Sequence, residues 1–347
     1  MIVTSPIELI MDDCFLLLPN LMHHAKTYLK LEGHSLTGSI KIKAAVSMLT
    51  KLERDGRLSP GGAVIESSSG NLGLALAMAC AVKGYRFTCV SDPNISPLTA
   101  KMIRAYGAEL IVVDSRDSNG GYLGVRLERI KDMMVKDPKL VWTNQYENFQ
   151  NVKAHYETTG TRILEALKSV DFVFVGAGTT GTLGGVSQYI RRNSPKTKII
   201  AVDSVGSVTF GFPASKRHIP GLGTSHPPKI KSESEFDDLI LIEESHTIQT
   251  CHYLARRGLL IGGSTGTVVC AVHHYSNRIP SGATVAAISP DFGDRYIDTI
   301  YDLDWIRERF PNILVESLGV SMPSVEMRPP SCVMITNKSS RMEGVSV

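Results

Sequence analysis

The sequence predicts an α/β protein in which parallel strands are wrapped by helices. Three observations carry this. Between residues 43 and 140, apolar runs of strand length alternate with stretches of helical pattern, the βαβα order that builds a parallel sheet. Two strands run straight into loops of small and hydroxyl residues that open helices: residues 63–65 into Glu66-Ser67-Ser68-Ser69-Gly70-Asn71-Leu72-Gly73, and residues 173–175 into Gly176-Ala177-Gly178-Thr179-Thr180-Gly181-Thr182-Leu183-Gly184-Gly185. The 347 residues, 43% hydrophobic and 20% charged, suffice for one large two-lobed unit or two domains of ordinary soluble composition.

Taken in order, the residues before Tyr28 carry the weakest pattern. Asp12 and Asp13 can open a turn, and His23 and His24 read as surface residues because no acidic or Cys partner stands at metal spacing. A short apolar run (Tyr28, Leu29, Leu31) then ends in polar and small residues, and Lys41 and Lys43 open a helix that continues over 44–54. The helix dipole disfavours cations at this end, so helix formation does not call for these lysines and chemistry can. The plain alternative is that both are solvated charge. After the serine loop a helix is predicted over 74–82. Residues 87–90 read as a strand stopped by Asp92-Pro93, 97–106 as a helix closed by Gly107, and 109–113 as the next strand. A polar loop over 114–122 leads into a helix carrying Arg126. Residues 142–146 close this half.

In the second half, residues 151–168 read as a helix on which His155, Tyr156 and Arg162 fit an amphipathic surface. Helix 184–192 and strand 199–203 follow the threonine loop. Residues 204–228 form a long irregular segment rich in Gly, Pro and His, and such length in a compact domain marks a functional or mobile loop. A helix over 246–256, a strand over 258–263 leading to Ser264, and a last strand over 283–289 complete the pattern. Beyond Trp305 it is lost, and the residues after 318 read as a tail rich in Pro, Ser and Met. No internal repeat is visible.

Composition excludes several classes. A net charge of +3 gives no field directed at nucleic acid or a membrane surface. The six cysteines (Cys14, Cys80, Cys89, Cys251, Cys270, Cys332) form no Cys-x-x-Cys pair and no metal spacing. Cys80 and Cys270 sit in apolar helical runs and read as buried thiols in a reduced, cytoplasmic protein. No signal peptide is visible, since the apolar run at 15–18 follows Asp12 and Asp13 and lacks a basic leader, and no apolar stretch reaches about 18 residues, so no membrane span is expected.

Chemistry concentrates in the two loops. The serine loop places backbone N–H groups and hydroxyls at a helix N-terminus, a pocket for an anion such as a carboxylate; the alternative is an ordinary capping turn. The threonine loop lets backbone approach a phosphate, which successive N–H groups and Thr hydroxyls can cradle. It is no Walker loop, because no Gly-Lys-Ser/Thr follows. Its Gly-x-Gly, with Asp203 ending a strand at roughly the ~20-residue spacing of dinucleotide folds, keeps a Rossmann reading open.

One lysine, one carboxylate-type loop and one phosphate-type loop, in that order, resemble the cysteine synthase-like group of pyridoxal phosphate enzymes of fold type II. The pattern Gly-Ser-x-Lys matches Gly38-Ser39-Ile40-Lys41. Ser/Thr-Ser-Gly-Asn-x-Gly matches Ser68-Ser69-Gly70-Asn71-Leu72-Gly73. The Gly-Thr-Gly-Gly-Thr phosphate loop matches Gly178-Thr179-Thr180-Gly181-Thr182, with Thr180 in place of a glycine. The Gly-Gly-Ser beside the pyridine nitrogen matches Gly262-Gly263-Ser264. The resemblance runs from about Lys30 to about Tyr301. It implies a tryptophan synthase β-like fold with a smaller mobile domain over 40–145, a larger cofactor-phosphate domain from 1–39 with 146–317, and a flexible tail over 318–347. It also implies a homodimer.

The resemblance further implies pyridoxal 5'-phosphate held covalently by Lys41, which then serves as base for the substrate's α-proton. Asn71 would bond the cofactor's phenolic oxygen. Gly178, Thr179, Thr180, Gly181 and Thr182 would hold its phosphate, and Ser264 would meet the pyridine nitrogen. A hydroxyl there does not enforce a charged ring, which suits β-elimination and replacement better than transamination. Ser68, Ser69, the N–H of Leu72 and Gln145 would hold the substrate carboxylate.

Several strings are similar to one branch, the N-(2-amino-2-carboxyethyl)-L-glutamate synthases: Asp92-Pro93-Asn94-Ile95-Ser96-Pro97, Gly120-Gly121-Tyr122-Leu123, Asn144-Gln145-Tyr146, Gly206-Ser207-Val208 and Gly293-Asp294-Arg295-Tyr296. That branch joins O-phospho-L-serine to L-glutamate, on the way to diaminopropionate for siderophores and peptide antibiotics. A phosphate leaving group and a dicarboxylate nucleophile both call for a cation, and Arg126 with Tyr146 beside it is the candidate; the alternative for Arg126 is a solvated helix residue.

Some positions depart. Ser35-Leu36 and Ile42-Lys43 stand where the family has Asn-Pro and Asp-Arg. Gly178 stands where the glutamate-adding enzymes have Ser and cysteine synthases have Gly, which favours the runner-up. Three readings follow: a glutamate-adding synthase; a cysteine synthase acting on O-acetylserine or O-phosphoserine with sulfide; and a non-catalytic relative.

Overall fold

Two sheets, each with its own apolar core, organise the chain. The computed structural model describes residues 2–19, 21–117, 121–323 and 334–336. Strands β1 (Phe15–Leu17) and β2 (Lys26–Leu31) form a hairpin in which Phe15 faces Lys30. Helix α1 (Lys41–Arg54) follows and leads the chain into the smaller sheet.

That sheet alternates strictly: β3 (Ala63–Ser67), α2 (Asn71–Lys83), β4 (Arg86–Ser91), α3 (Pro97–Ala105), β5 (Glu109–Val112), α4 (Leu123–Lys136), β6 (Leu140–Trp142). Its order is β5-β4-β3-β6, all parallel. β3 is central and buried at every position, as strands covered on both faces are. Every residue of α2 from Leu72 to Cys80 is buried, which explains why that helix is apolar all round rather than striped. Among its residues Cys80 is buried as expected, and burial pushes its thiol up to about 12.

The chain then returns through α5 (Gln150–His155), a π turn over Tyr156–Gly160 and α6 (Thr161–Leu167). β7 (Phe172–Gly176), α7 (Gly181–Asn193), β8 (Lys198–Ser204), β9 (Asp238–Ile242), α8 (Glu244–Ala255), α9 (Gly263–Tyr275), β10 (Thr284–Ser289), α10 (Leu303–Arg309) and β11 (Met334–Thr336) complete it. The larger sheet has the order β1-β2-β10-β7-β8-β9-β11. β1 and β11 run antiparallel at its two edges, and the inner pairs are parallel. β2, from the N-terminal part, thus pairs with β10 near the other end, and the smaller sheet is inserted between β2 and β7.

The structure corrects several expectations. Residues 258–263 form no strand: Gly263 opens α9, and the segment keeps a single bridge, Ile261 to Phe292. The helix expected over 151–168 is broken by the π turn. α10 stands where the pattern was read as fading. Leu318 is buried in the core of the larger sheet, and Met334–Thr336 pair with β9; the rest of the expected tail, 324–333 and 337–347, lies outside the described residues. No helix among the described residues is long and apolar enough to cross a membrane.

Candidate active site

Lys41 is the first residue of α1. The turn before it is tied to the end of β10: Gly38 has φ 65°, Ser39 bridges Asp291, and the Ile40 N–H donates to the Pro290 carbonyl at 2.8 Å. Lys41 therefore meets the carboxyl end of a parallel sheet, where open α/β folds hold their ligands. Burial lowers its pKa, with the Asp291 carboxylate opposing, so the amine gains neutral character. Lys41 lines a cavity together with Asn71, the threonine loop, Gly221, Ser264 and Asp291. The motifs far apart in sequence, 38–41, 68–73, 178–182 and 262–264, thus converge. Lys43 does not line this cavity. It is buried, not solvated, and its ammonium is paired with Glu32 at 2.8 Å.

The threonine loop joins β7 to α7. Thr180 has φ 67°, a left-handed conformation that glycine adopts freely and a β-branched residue does not. The position matched by a family glycine is thus one whose backbone geometry calls for it. Its hydroxyl is buried without a partner. Thr179 Oγ1 receives a hydrogen bond from Asn151 Nδ2 at 3.0 Å, and Thr182 Oγ1 lies 3.2 Å from His155 Nε2. A Cβ on Gly178 would come within 2.6 Å of the Gly221 carbonyl, and Gly221 itself has φ +108° and packs on Ser264. The segment around Gly221 therefore packs closely on the loop. A buried orphan hydroxyl, two half-engaged ones and the free first-turn N–H groups of α7 fit a phosphate group.

At the other loop, Ser68 Oγ receives the N–H groups of Gly70 and Gly73 at 3.2 and 3.0 Å. It is engaged within the turn ahead of α2, whose N-cap is Gly70, which leaves Ser69 Oγ and the first-turn N–H groups of Asn71 and Leu72 for an anion. Glu66, fully buried at the end of β3, supports this turn. Its carboxylate accepts from Ser67 N (2.7 Å), Trp142 Nε1 (3.1 Å), Thr143 Oγ1 (2.6 Å) and Gln145 N (3.0 Å). Burial raises its pKa against the pull of those four donors. Gln145 is held by Glu66 and donates to the Ser67 carbonyl at 3.0 Å, so it stands beside the serine loop.

Asn71 donates to Asp291 Oδ2 at 2.6 Å and accepts from Arg295. Asp291, 2% exposed, also accepts from Tyr296, and its Oδ1 has no partner. Burial raises its pKa, opposed by Tyr296, Asn71 and Arg295. Sequence reading did not single out Asp291; its signal is an acidic residue immediately after the last strand's carboxyl end. His155 was read as a surface residue and is instead fully buried. Arg126 and Tyr146 do not line the cavity. Arg126 is buried against Asp92, with Nη1 3.2 Å from Oδ2, and its Nε has no partner, so it is not a solvated helix residue. Burial raises the Tyr146 pKa, and the nearby Arg126 charge opposes this.

Parallel sheets, an amine lysine at a strand-end cavity and a phosphate-type loop define a pyridoxal phosphate enzyme of the type II fold. Comparison agrees: a family model described as pyridoxal-phosphate dependent enzyme matches residues 15–291, and the chain belongs to this family. It is 40% identical over 305 residues to an N-(2-amino-2-carboxyethyl)-L-glutamate synthase of Ralstonia nicotianae, covering 87% of this chain and 90% of the relative. It is 38% identical over 314 residues to an enzyme of the same name from Cupriavidus metallidurans, covering 89% and 92%. Among solved structures it resembles O-ureido-L-serine synthase (TM-score 0.80, 29% identity, 92% of this chain and 100% of that one). It also resembles an O-acetylserine-dependent cystathionine β-synthase from Helicobacter pylori (TM-score 0.81, 26% identity, 87% and 100%). The chain is a pyridoxal phosphate-dependent enzyme of β-replacement.

Proposed function

We propose that the chain joins L-glutamate to O-phospho-L-serine. A C–N bond forms between the glutamate amine and the serine β-carbon, the β-carbon–oxygen bond breaks, and phosphate leaves with the electron pair of that bond. The product is N-(2-amino-2-carboxyethyl)-L-glutamate. The observation that carries this reading is the 40% identity, over 87% of the chain, to a synthase of that name. When bound, pyridoxal phosphate draws electrons from the substrate's α-carbon.

The protein's residues do the rest. Lys41 holds the cofactor and moves the α-proton; burial lowers the pKa of its amine, which favours the neutral base. Thr179, Thr180 and Thr182, with the backbone of Gly178 and Gly181, hold the cofactor phosphate. Asn71 meets the phenolic oxygen and is oriented by Asp291 and Arg295. Ser264 meets the ring nitrogen. Ser69 and the Leu72 N–H hold the amino-acid carboxylate, with Gln145 beside them and Ser68 shaping the turn. Arg126, held by Asp92 with its Nε unpartnered, and Tyr146 are the candidates for the second amino acid's carboxylate, although they lie outside the cavity that Lys41 lines. A homodimer, a cytoplasmic location and supply of diaminopropionate to a siderophore or peptide product complete the proposal.

The test is product formation from O-phospho-L-serine with glutamate or with sulfide, followed by phosphate release and mass spectrometry. Glutamate-dependent product is expected. Turnover with sulfide alone would make the enzyme a cysteine synthase, the reading that Gly178 favours. Lys41→Ala is expected to lower turnover about 10³-fold or more and to abolish the absorption of the covalently held cofactor. Arg126→Lys keeps the charge but loses the planar fork. It is expected to raise KM for glutamate about tenfold, and an unchanged KM would remove Arg126 from the site.

A further inference from the structure

A line of polar groups, starting at the half-buried Thr182 and buried beyond it, leads away from the threonine loop. Thr182 Oγ1 is 3.2 Å from His155 Nε2, His155 Nδ1 is 3.1 Å from Thr159 Oγ1, and Thr159 Oγ1 is 3.2 Å from Lys43 Nζ. His155 and Thr159 have no exposed surface, and Lys43 is 4% exposed. The far end is anchored by Glu32, 2.8 Å from Lys43 Nζ, with Asp12 at 3.7 Å.

Valence fixes the first of these bonds, and the tautomer of His155 sets the other two. An ammonium has donors only, so Lys43 donates to Thr159. The relay assigns the single Thr159 hydroxyl hydrogen to His155 Nδ1. His155 is neutral, because burial and the charges of Lys43 and Lys41 hold its pKa well below the usual value. A neutral imidazole that accepts at Nδ1 carries its proton on Nε2. That proton is donated to Thr182 Oγ1. The Thr182 hydrogen is then left for a group in the cavity that Thr182 lines.

We propose that Lys43, Thr159 and His155 form a positioning relay that fixes Thr182 as a hydrogen-bond donor to a phosphate in this loop. The inference rests on the reading of that loop as the cofactor-phosphate site, and not on the identity of the nucleophile. It gives Lys43, which departs from the family's Asp-Arg pair together with Ile42, a role distinct from that of Lys41 two residues earlier. The ammonium orders hydroxyls that the local sequence alone leaves free to rotate. The π turn at Tyr156–Gly160 supplies the geometry: it carries Thr159 on the same face as His155, within reach of both His155 and Lys43.

The experiment compares pyridoxal 5'-phosphate with pyridoxal, which lacks the phosphate, as ligands of Lys43→Met, Lys43→Arg and His155→Phe proteins. Lys43→Met and His155→Phe are expected to weaken pyridoxal 5'-phosphate about tenfold, the loss of one hydrogen bond to a charged group. Pyridoxal binding should be unchanged, and Lys43→Arg should retain most of the affinity. The ³¹P resonance of the bound cofactor should move in the first two variants only. On the wild-type protein, ¹⁵N NMR of labelled histidine should show His155 protonated at Nε2; this measurement needs no variant to fold. Protonation at Nδ1, equal weakening of both ligands, or unaltered phosphate binding in Lys43→Met would overturn the relay. If the wild type binds pyridoxal as tightly as its phosphate ester, the phosphate-loop reading itself fails, which is a separate outcome.

Discussion

The corners β3–α2 and β7–α7 start from one design, and under the proposed function they take different anions. Each is a buried strand, a loop of small and hydroxyl residues, and a helix N-terminus. Behind the first stands a carboxylate: Glu66 accepts four hydrogen bonds, and the turn above it is capped by its own Ser68. Its remaining donors are neutral, and a buried carboxyl group lies beneath them. Behind the second, His155 and Thr159 lead to the Lys43 ammonium, itself paired with Glu32. A carboxylate that arrives and departs at each turnover suits the first. A phosphate that stays bound suits the second. Under the proposed function, local motif supplies both anion sites, and the groups placed behind each are what distinguish them.

The largest expected effect tests the support under the serine loop. Glu66→Leu leaves the Ser67 and Gln145 N–H groups and the Trp142 and Thr143 donors without partners. It should cost about 4 kcal/mol or more in urea unfolding; a loss below about 1 kcal/mol would show that the turn holds itself.

A carboxylate also stands near the second corner, in β8, and it is supported less well. Asp203 accepts from Ser204 N at 2.8 Å, but its Oδ2 has no partner. Burial raises its pKa from 3.8 to about 7, against the pull of Ser207, Ser204 and Arg217. Between those values the folded state binds more protons than the unfolded one, so this group makes stability fall as pH rises from about 4 to about 7, and flat above. Asp203→Asn should remove that part of the slope in thermal unfolding followed against pH. An unchanged slope would assign it to other groups.

The smallest effect is at Thr180. Thr180→Gly relieves about 1 kcal/mol of left-handed strain, offset in part by the greater freedom of glycine when unfolded. Stability should rise slightly while pyridoxal 5'-phosphate binding weakens, because a buried hydroxyl is lost. A gain in both would show that the hydroxyl contributes nothing to the phosphate site.

Most strands and helices were legible because their apolar period and their Gly, Pro and Ser punctuation are local. The misses have physical reasons. β1 is three residues long and exists only by pairing with β2. The apolar run at 258–263 looks like a strand but finds no ladder beyond Ile261. The π turn has no compositional mark. His155 looked like a surface residue because its neighbours are polar, yet Thr159 and the distant Thr182 are its hydrogen-bond partners.

The sequence by itself determined the local elements: a lysine opening a helix, two strand–loop–helix corners, and a Gly-Gly-Ser, whose order resembles one cofactor family. Each element is made by residues adjacent in the chain, so propensity and hydrogen-bonding capacity suffice to predict it, while the cofactor is what the resemblance implied. Only the tertiary structure decided which of two lysines faces the cavity, that Asp291 orients Asn71 across 220 residues, that Arg126 is held by Asp92, and that Lys43 reaches the phosphate loop through Thr159 and His155. These contacts join groups remote in sequence, and the burial that makes them strong is a property of the packed sheets rather than of any one segment.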